Sequence, residues 1–315
     1  MEPILALGWL LMLVSGMADG GSRNLIKSST VHQYTLVILG TLTSLPFYFA
    51  YLTIEGMPLV GLGFWYAVVF HAPISAAIRV LTVKAHRASP LILTVPYTAL
   101  TPVFLLFISP LMGSGLPTLW GVIGVLTIVI GLYSLNLRMA KKDFFEPFRN
   151  FKREKGSQYM MIAALLMAVG ANLDLIALRN ANPSFYLIVD SVLVSSIMLP
   201  MAGWIYATSG RNWELITPKT HWSVLWLFGL MNAVVALFHN IGMSLVPYVP
   251  LVIAVKRAGK IIWTVAIGLF LAYIINRPDY KSEKGDLGFR LIGTLAVIVG
   301  VLLVVFFGLG EGPSL

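Results

Sequence analysis

Stretches of about 20 mainly apolar residues, the length that crosses a hydrocarbon core as a helix, recur along this chain with little between them. They fall near 4–22, 34–53, 60–83, 89–111 and 117–137, and again near 158–179, 183–206, 222–246, 250–275 and 289–309. The run from 60 to 137 is almost unbroken, divided only at Lys84, His86 and Arg87 and at Gly113–Pro117. Of the 315 residues 58% are hydrophobic and 11% charged, against roughly 45–50% and 25% in a soluble domain. Too few polar groups are present to cover a surface in water. The chain therefore reads as an all-α membrane protein with ten transmembrane helices, multi-pass in the cytoplasmic (plasma) membrane. Its first apolar run lacks a basic leader and reads as a span, not a cleaved signal.

Charge placement sets the expected threading, because Lys and Arg are retained on the cytoplasmic side. The loops after the odd-numbered spans hold 17 of the 22 basic residues, from Arg23 and Lys27 to Lys284 and Arg290. The opposite side has Arg179 alone, with Glu2, Glu55 and Glu311. Both termini are thus expected outside, and the basic loop 138–157 in the cytoplasm. The net charge of +9 follows from topology. It is spread over five loops and is not a groove with stacking aromatics, so no nucleic-acid partner is expected.

The two groups of five spans resemble each other. Val122–Gly131 in the fifth span matches Leu291–Gly300 in the tenth, 169 positions later. Earlier elements align at a spacing of 155, which sets Thr101 and Pro102 on Lys256 and Arg257, and Asp19 on Asp174. An insertion in the charged 276–289 loop reconciles the two spacings. Five is odd, so the second group must run through the membrane in the opposite sense. The expected organisation is two inverted five-helix repeats, residues 1–137 and 158–309, joined by the basic loop and followed by a short tail, 310–315. Carriers of this plan hold their solute site between the halves.

The segment Tyr97–Leu106, Gly124 and Gly131–Asn136 in the first half, with Tyr248, Ile253–Arg257 and Arg290–Gly293 in the second, resemble the drug/metabolite transporter superfamily, in its EamA-like ten-helix branch. The resemblance covers nearly the whole chain and implies a carrier. Members usually have a Gly-Glu pair after the fourth and ninth helices. Here Gly113 is followed by Ser114, and the second pair is lost in Ala272–Ile275. Relatives are often drawn with cytoplasmic termini, opposite to the loop charges here.

An ionisable group at mid-bilayer costs at least about 2.5–3.5 kcal/mol, so it is expected to face protein or water. This chain places Asp19, His71, Arg79, Asp174, Asp190, His239, Lys256, Arg257 and Lys260 within spans. Asp174 and Lys256 are both predicted about 8–9 Å from the outer face, at about 1.5 Å per residue. Two paired layers are expected: Asp174 with Lys256 or Arg257 outside, and Asp19 with Arg79 inside, as gates. His71 is a candidate for coupling by proton relay. Lys256 and Lys260 share one helix face with Arg257 turned about 100° away, a face suited to a carboxylate or phosphate. With Asp190, His239, Asn172, Asn240, Tyr97 and Thr101, they form the expected substrate site. Pro46, Pro73, Pro96, Pro102, Pro110 and Pro200 interrupt helices, where kinks suit a cavity wall. Trp9, Trp65, Trp120, Trp204 and Trp222 read as interfacial anchors.

A secondary transporter of a small polar metabolite (amino acid, organic acid or phosphorylated compound), working by alternating access, is therefore the leading expectation. A channel or a non-transporting polytopic membrane protein is the alternative. An enzyme lacks its usual signs: no His-Glu-x-x-His run, no clustered aspartates and no phosphate-binding glycine loop. Neither metal nor cofactor is expected. The partners are a small-molecule substrate and the bilayer, with a homodimer left open.

Overall fold

A backbone surrounded by lipid must satisfy its own hydrogen bonds, and a continuous apolar run does so as a helix. The computed structural model describes residues 3–28, 33–89, 97–115, 117–138, 151, 153–208, 222–246, 248–273 and 287–309. Ten helices, and no strand, occur among them: α1 (Pro3–Ser28), α2 (Gln33–Glu55), α3 (Leu62–Ala88), α4 (Thr101–Leu111), α5 (Leu119–Arg138), α6 (Lys155–Asn180), α7 (Pro183–Thr208), α8 (Trp222–Leu245), α9 (Val249–Tyr273) and α10 (Leu287–Phe307). Each apolar stretch contributes one. The basic loop over 139–150, the insertion expected in 276–289 up to residue 286, the tail 310–315, and Pro96 lie outside the described residues.

The segments Leu62–Thr82, Lys155–Asn180, Pro183–Trp204 and Leu225–Leu245 are each long and apolar enough to cross a membrane. The bundle's outer face is itself apolar: Leu111 is 86% exposed and Trp204 72% exposed. In water such a surface would drive association, whereas hydrocarbon accepts it. Composition, helices and surface together are consistent with a helical membrane protein. Trp9 departs from its expected role. It is buried, part of the core with Met12 and Met243, so it packs helices instead of marking an interface.

Packing follows small residues. α3 lies along α6 and α1 along α8, while α5 lies along α10. α1 also crosses α9, α4 rests on α6, and α2 contacts α7 and α8. The α5–α10 contact is glycine against glycine. A first side-chain carbon on Gly124 would lie 2.9 Å from the Gly300 carbonyl oxygen, and one on Gly300 would lie 2.8 Å from that of Gly124. Further along, one on Gly131 would lie 2.9 Å from the Gly293 oxygen. As numbering rises in α5 it falls in α10, so the two helices are antiparallel, close enough for backbone contact.

The two ends of the bundle are distinct. At one, Asn182 bonds the Gly56 carbonyl (2.7 Å), the Gly61 amide meets the Asn180 carbonyl, and the Thr118 amide donates to the Gly308 carbonyl (3.1 Å). At the other, Ser89 bonds Glu154 and receives the Gly156 amide, and Tyr97 packs on Phe151. Helix α3 spans the distance between them.

Candidate functional site

The charged residues of the apolar helices converge on one place. A cavity of about 330 Å³ is lined by Asp19 of α1, His71 of α3, Asp174 of α6, His239 of α8, and Lys256, Arg257 and Lys260 of α9, with Thr98, Thr101, Met167 and Gly170 among its remaining walls. Three cations thus face two carboxylates. Both groups of five helices contribute. Thr101 and His239, expected at the site, line it directly, although the Thr101 hydroxyl donates to the Thr98 carbonyl at 3.1 Å.

Helix α9 delivers its three cations within five residues, and α1 reaches it by a close crossing. A first side-chain carbon on Gly16 would fall 2.0 Å from the Lys256 carbonyl oxygen, and one on Gly259 would fall 2.5 Å from that of Leu13. Only glycine permits so near an approach. It brings Lys260 Nζ to 2.7 Å from Asp19 Oδ2. The expected Asp19–Arg79 pair is therefore replaced. Asp19 meets α9, and Arg79 acts on Asp190 and Tyr48 deeper between α3, α7 and α2. The reason is packing: α3 lies against α6 and α7, with Ala72 and Ala76 set on Val194 and Met198 of α7.

The expected pairing of Asp174 is also corrected. His71 Nε2 lies 3.0 Å from Asp174 Oδ1, and the Tyr186 hydroxyl donates to the same oxygen. Lys256 stays in electrostatic reach across the cavity, while Arg257 donates to the Thr98 carbonyl and lies 3.8 Å from Met167 Sδ. His71 has a second partner, since its Nδ1 is 2.7 Å from Asp190 Oδ1. Asp190 thus stands behind the cavity wall. Tyr186 carries no motif of its own. Its spacing of four residues before Asp190, which puts both on one face of α7, is the signal that locates it.

Besides Asp190 and Arg79, three further candidates lie away from the cavity lining. Tyr97 is buried with its ring centroid 5.8 Å from that of Phe151. Asn172 is buried and donates to the Ala168 carbonyl (2.9 Å), and its Oδ1 accepts from Ser114 at 2.7 Å. Asn240 donates to the Ala236 carbonyl at 2.8 Å. Their amides satisfy buried backbone or bind helices together, the commoner use of such groups in a membrane bundle.

No family model matches the chain, and no curated protein matches it. A solved crystal structure of a protein does superpose on it, over 96% of this chain and 97% of that one, with a TM-score of 0.69 and 14% identity. At that identity the likeness concerns fold alone. It extends from end to end of both chains, so this helix arrangement is one that another sequence adopts as a whole.

Proposed function

We propose that the chain is a secondary carrier of the drug/metabolite transporter type, with ten spans arranged as two inverted repeats, moving a small metabolite that bears a carboxylate or phosphate. The observation that carries this reading is the cavity itself: three cations, two carboxylates and two histidines face one another inside a bundle whose exterior is apolar. Burying such charges costs several kcal/mol each. A solute site justifies that cost.

The packing pattern supports the repeat. Exchanging each helix for the one five places on turns the α3–α6 contact into α8–α1, the α1–α9 contact into α6–α4, and the α2–α8 contact into α7–α3, all of which occur. The α5–α10, α2–α7 and α4–α9 contacts map onto themselves. The matched glycine segments of the fifth and tenth helices meet face to face and antiparallel, as a twofold axis in the membrane plane requires. Three cations against two carboxylates favour an anion, with Arg257 shaped for bidentate pairing.

Counterflow in proteoliposomes tests the reading. Vesicles loaded with unlabelled glutamate, malate or glucose 6-phosphate should take up the matching labelled compound faster than empty vesicles, and uptake should saturate. Flux that rises linearly with concentration would point to a channel. No exchange of any probe would sink the proposal of an anionic-metabolite carrier.

A further inference from the structure

The His71 cluster uses more hydrogen than its side chains hold when ionised in the ordinary way. Both ring nitrogens are within bonding distance of a carboxylate oxygen, Nε2 at 3.0 Å from Asp174 and Nδ1 at 2.7 Å from Asp190. An ionised carboxylate only accepts, and a neutral imidazole has one N–H. One hydrogen cannot fill two gaps. The Tyr186 hydroxyl lies against Asp174 Oδ1 and 3.3 Å from His71 Nδ1, but its single hydrogen goes to one of these acceptors and enters neither gap between the ring and a carboxylate. The second gap is filled either by imidazolium or by a protonated carboxyl. In both cases the trio holds one proton beyond a neutral histidine and two carboxylates.

From this geometry we infer that His71, Asp174 and Asp190 form a proton-binding site in the cavity wall, and that the chain is a proton symporter for its anionic solute. The transport half of this statement rests on the carrier reading above; the binding half does not. Access is from the cavity. His71 and Asp174 line it, whereas Asp190 and Tyr186 lie behind the ring, so an arriving proton meets Asp174 first. The site also has a mechanical role. Its two bonds join α3 to α6 and α3 to α7, and without the extra proton one gap holds two facing lone pairs and must open. Proton occupancy thereby sets whether all three helices are tied together.

The surrounding charges determine the sign of coupling. Arg79 on α3 and Tyr48 on α2 act on the Asp190 side. Lys256 on α9 faces Asp174 across the cavity, with His239 on α8 and Asp19 on α1 farther round. A proton added to Asp174 or His71 makes a common low-dielectric cavity more positive, which strengthens anion binding beside Lys256 and Arg257. Anion and proton therefore bind together, and the loaded carrier moves both in one direction.

The full chain in liposomes serves both halves of the test. Infrared difference spectra between acid and alkaline pH should show a carboxyl or imidazolium signal that is altered in His71→Gln and in Asp190→Asn, two variants close in shape to the originals. Tyr186→Phe should shift it without removing it. In wild-type vesicles with the membrane potential short-circuited, an inward acid gradient should accumulate the probe that exchanges in counterflow, about tenfold per pH unit for one proton. Identical difference spectra in wild type, His71→Gln and Asp190→Asn would overturn the proton site. Accumulation driven by a sodium gradient, or by neither gradient, would overturn symport while counterflow left the carrier intact. A clear spectral signal with no exchange of any probe would retain the site and reject the carrier.

Discussion

Lys260 Nζ donates to Asp19 Oδ2 at 2.7 Å, an ion pair that ties α9 to α1 at the edge of a polar cavity. Its side chains are 21% and 30% exposed, so the pair is neither buried nor free in solvent. Loss of one partner costs about 3–5 kcal/mol for a buried pair and less than about 1 kcal/mol for an exposed one. Asp19→Asn and Lys260→Gln should each destabilise the chain by about 1–2 kcal/mol, between those limits. The double variant should be less destabilised than the sum. Additive losses in a double-mutant cycle, read by unfolding in mixed micelles, would show that the two charges do not interact.

Lys256 lies on the cavity wall, opposite Asp174 and His71. Lys256→Gln keeps the length and removes the charge, so transport should fall at least tenfold while membrane expression is unchanged. Uptake equal to wild type would remove Lys256 from the proposed solute site.

Two helical glycines give opposite expectations for the same substitution. At Gly124 a methyl group meets the Gly300 carbonyl oxygen at 2.9 Å, whereas at Gly203 nothing lies within 4 Å. Gly124→Ala should destabilise by about 1–3 kcal/mol through overpacking. Gly203→Ala should stabilise by about 0.5–1 kcal/mol through reduced chain entropy. Equal effects of the two on thermal unfolding in detergent would contradict the close crossing.

The chain has no cysteine, so single cysteines can be labelled without background. Asn182→Cys and the fully exposed Leu59→Cys lie at one end of the bundle, and Glu154→Cys at the other. A membrane-impermeant maleimide added to intact cells should modify the first two and spare the third. Labelling of all three, or of Glu154→Cys alone, would refute the threading drawn from loop charge.

Helix positions were legible because lipid leaves the backbone a single solution and apolar length reports it directly. The α5–α10 contact is not announced by the sequence: the matching segments around Gly124 and Gly131 and around Gly293 and Gly300 indicate a repeat, and only the packing shows that they meet. Ion pairing was not legible either. Depth along a helix follows from counting residues, but the direction a side chain faces depends on which neighbour packs where. Asp174 and Lys256 share a cavity as their depths imply, yet Asp174 is bonded by His71 and Tyr186. Arg79 and Asp19 were matched by depth alone and face different neighbours. Ser114, which stands where the resemblance would place a glutamate, donates to Asn172, a bond no local pattern announces. Trp9 reads as an anchor from its position near a span end, but it is buried in the core with Met12 and Met243.

For the carrier proposed above, the seam between α5 and α10 limits what its cycle can be. Backbone touches backbone at Gly124 with Gly300 and at Gly131 with Gly293, and the Thr118 amide is fastened to the Gly308 carbonyl at one end. Nothing flexible remains there to yield, so the pair acts as a fixed post. Spin labels at the outward-facing Leu126 and Leu302 should keep one separation whether or not solute is present. In that carrier the helices bearing the charges would do the swinging, pivoting against a mast that stays still.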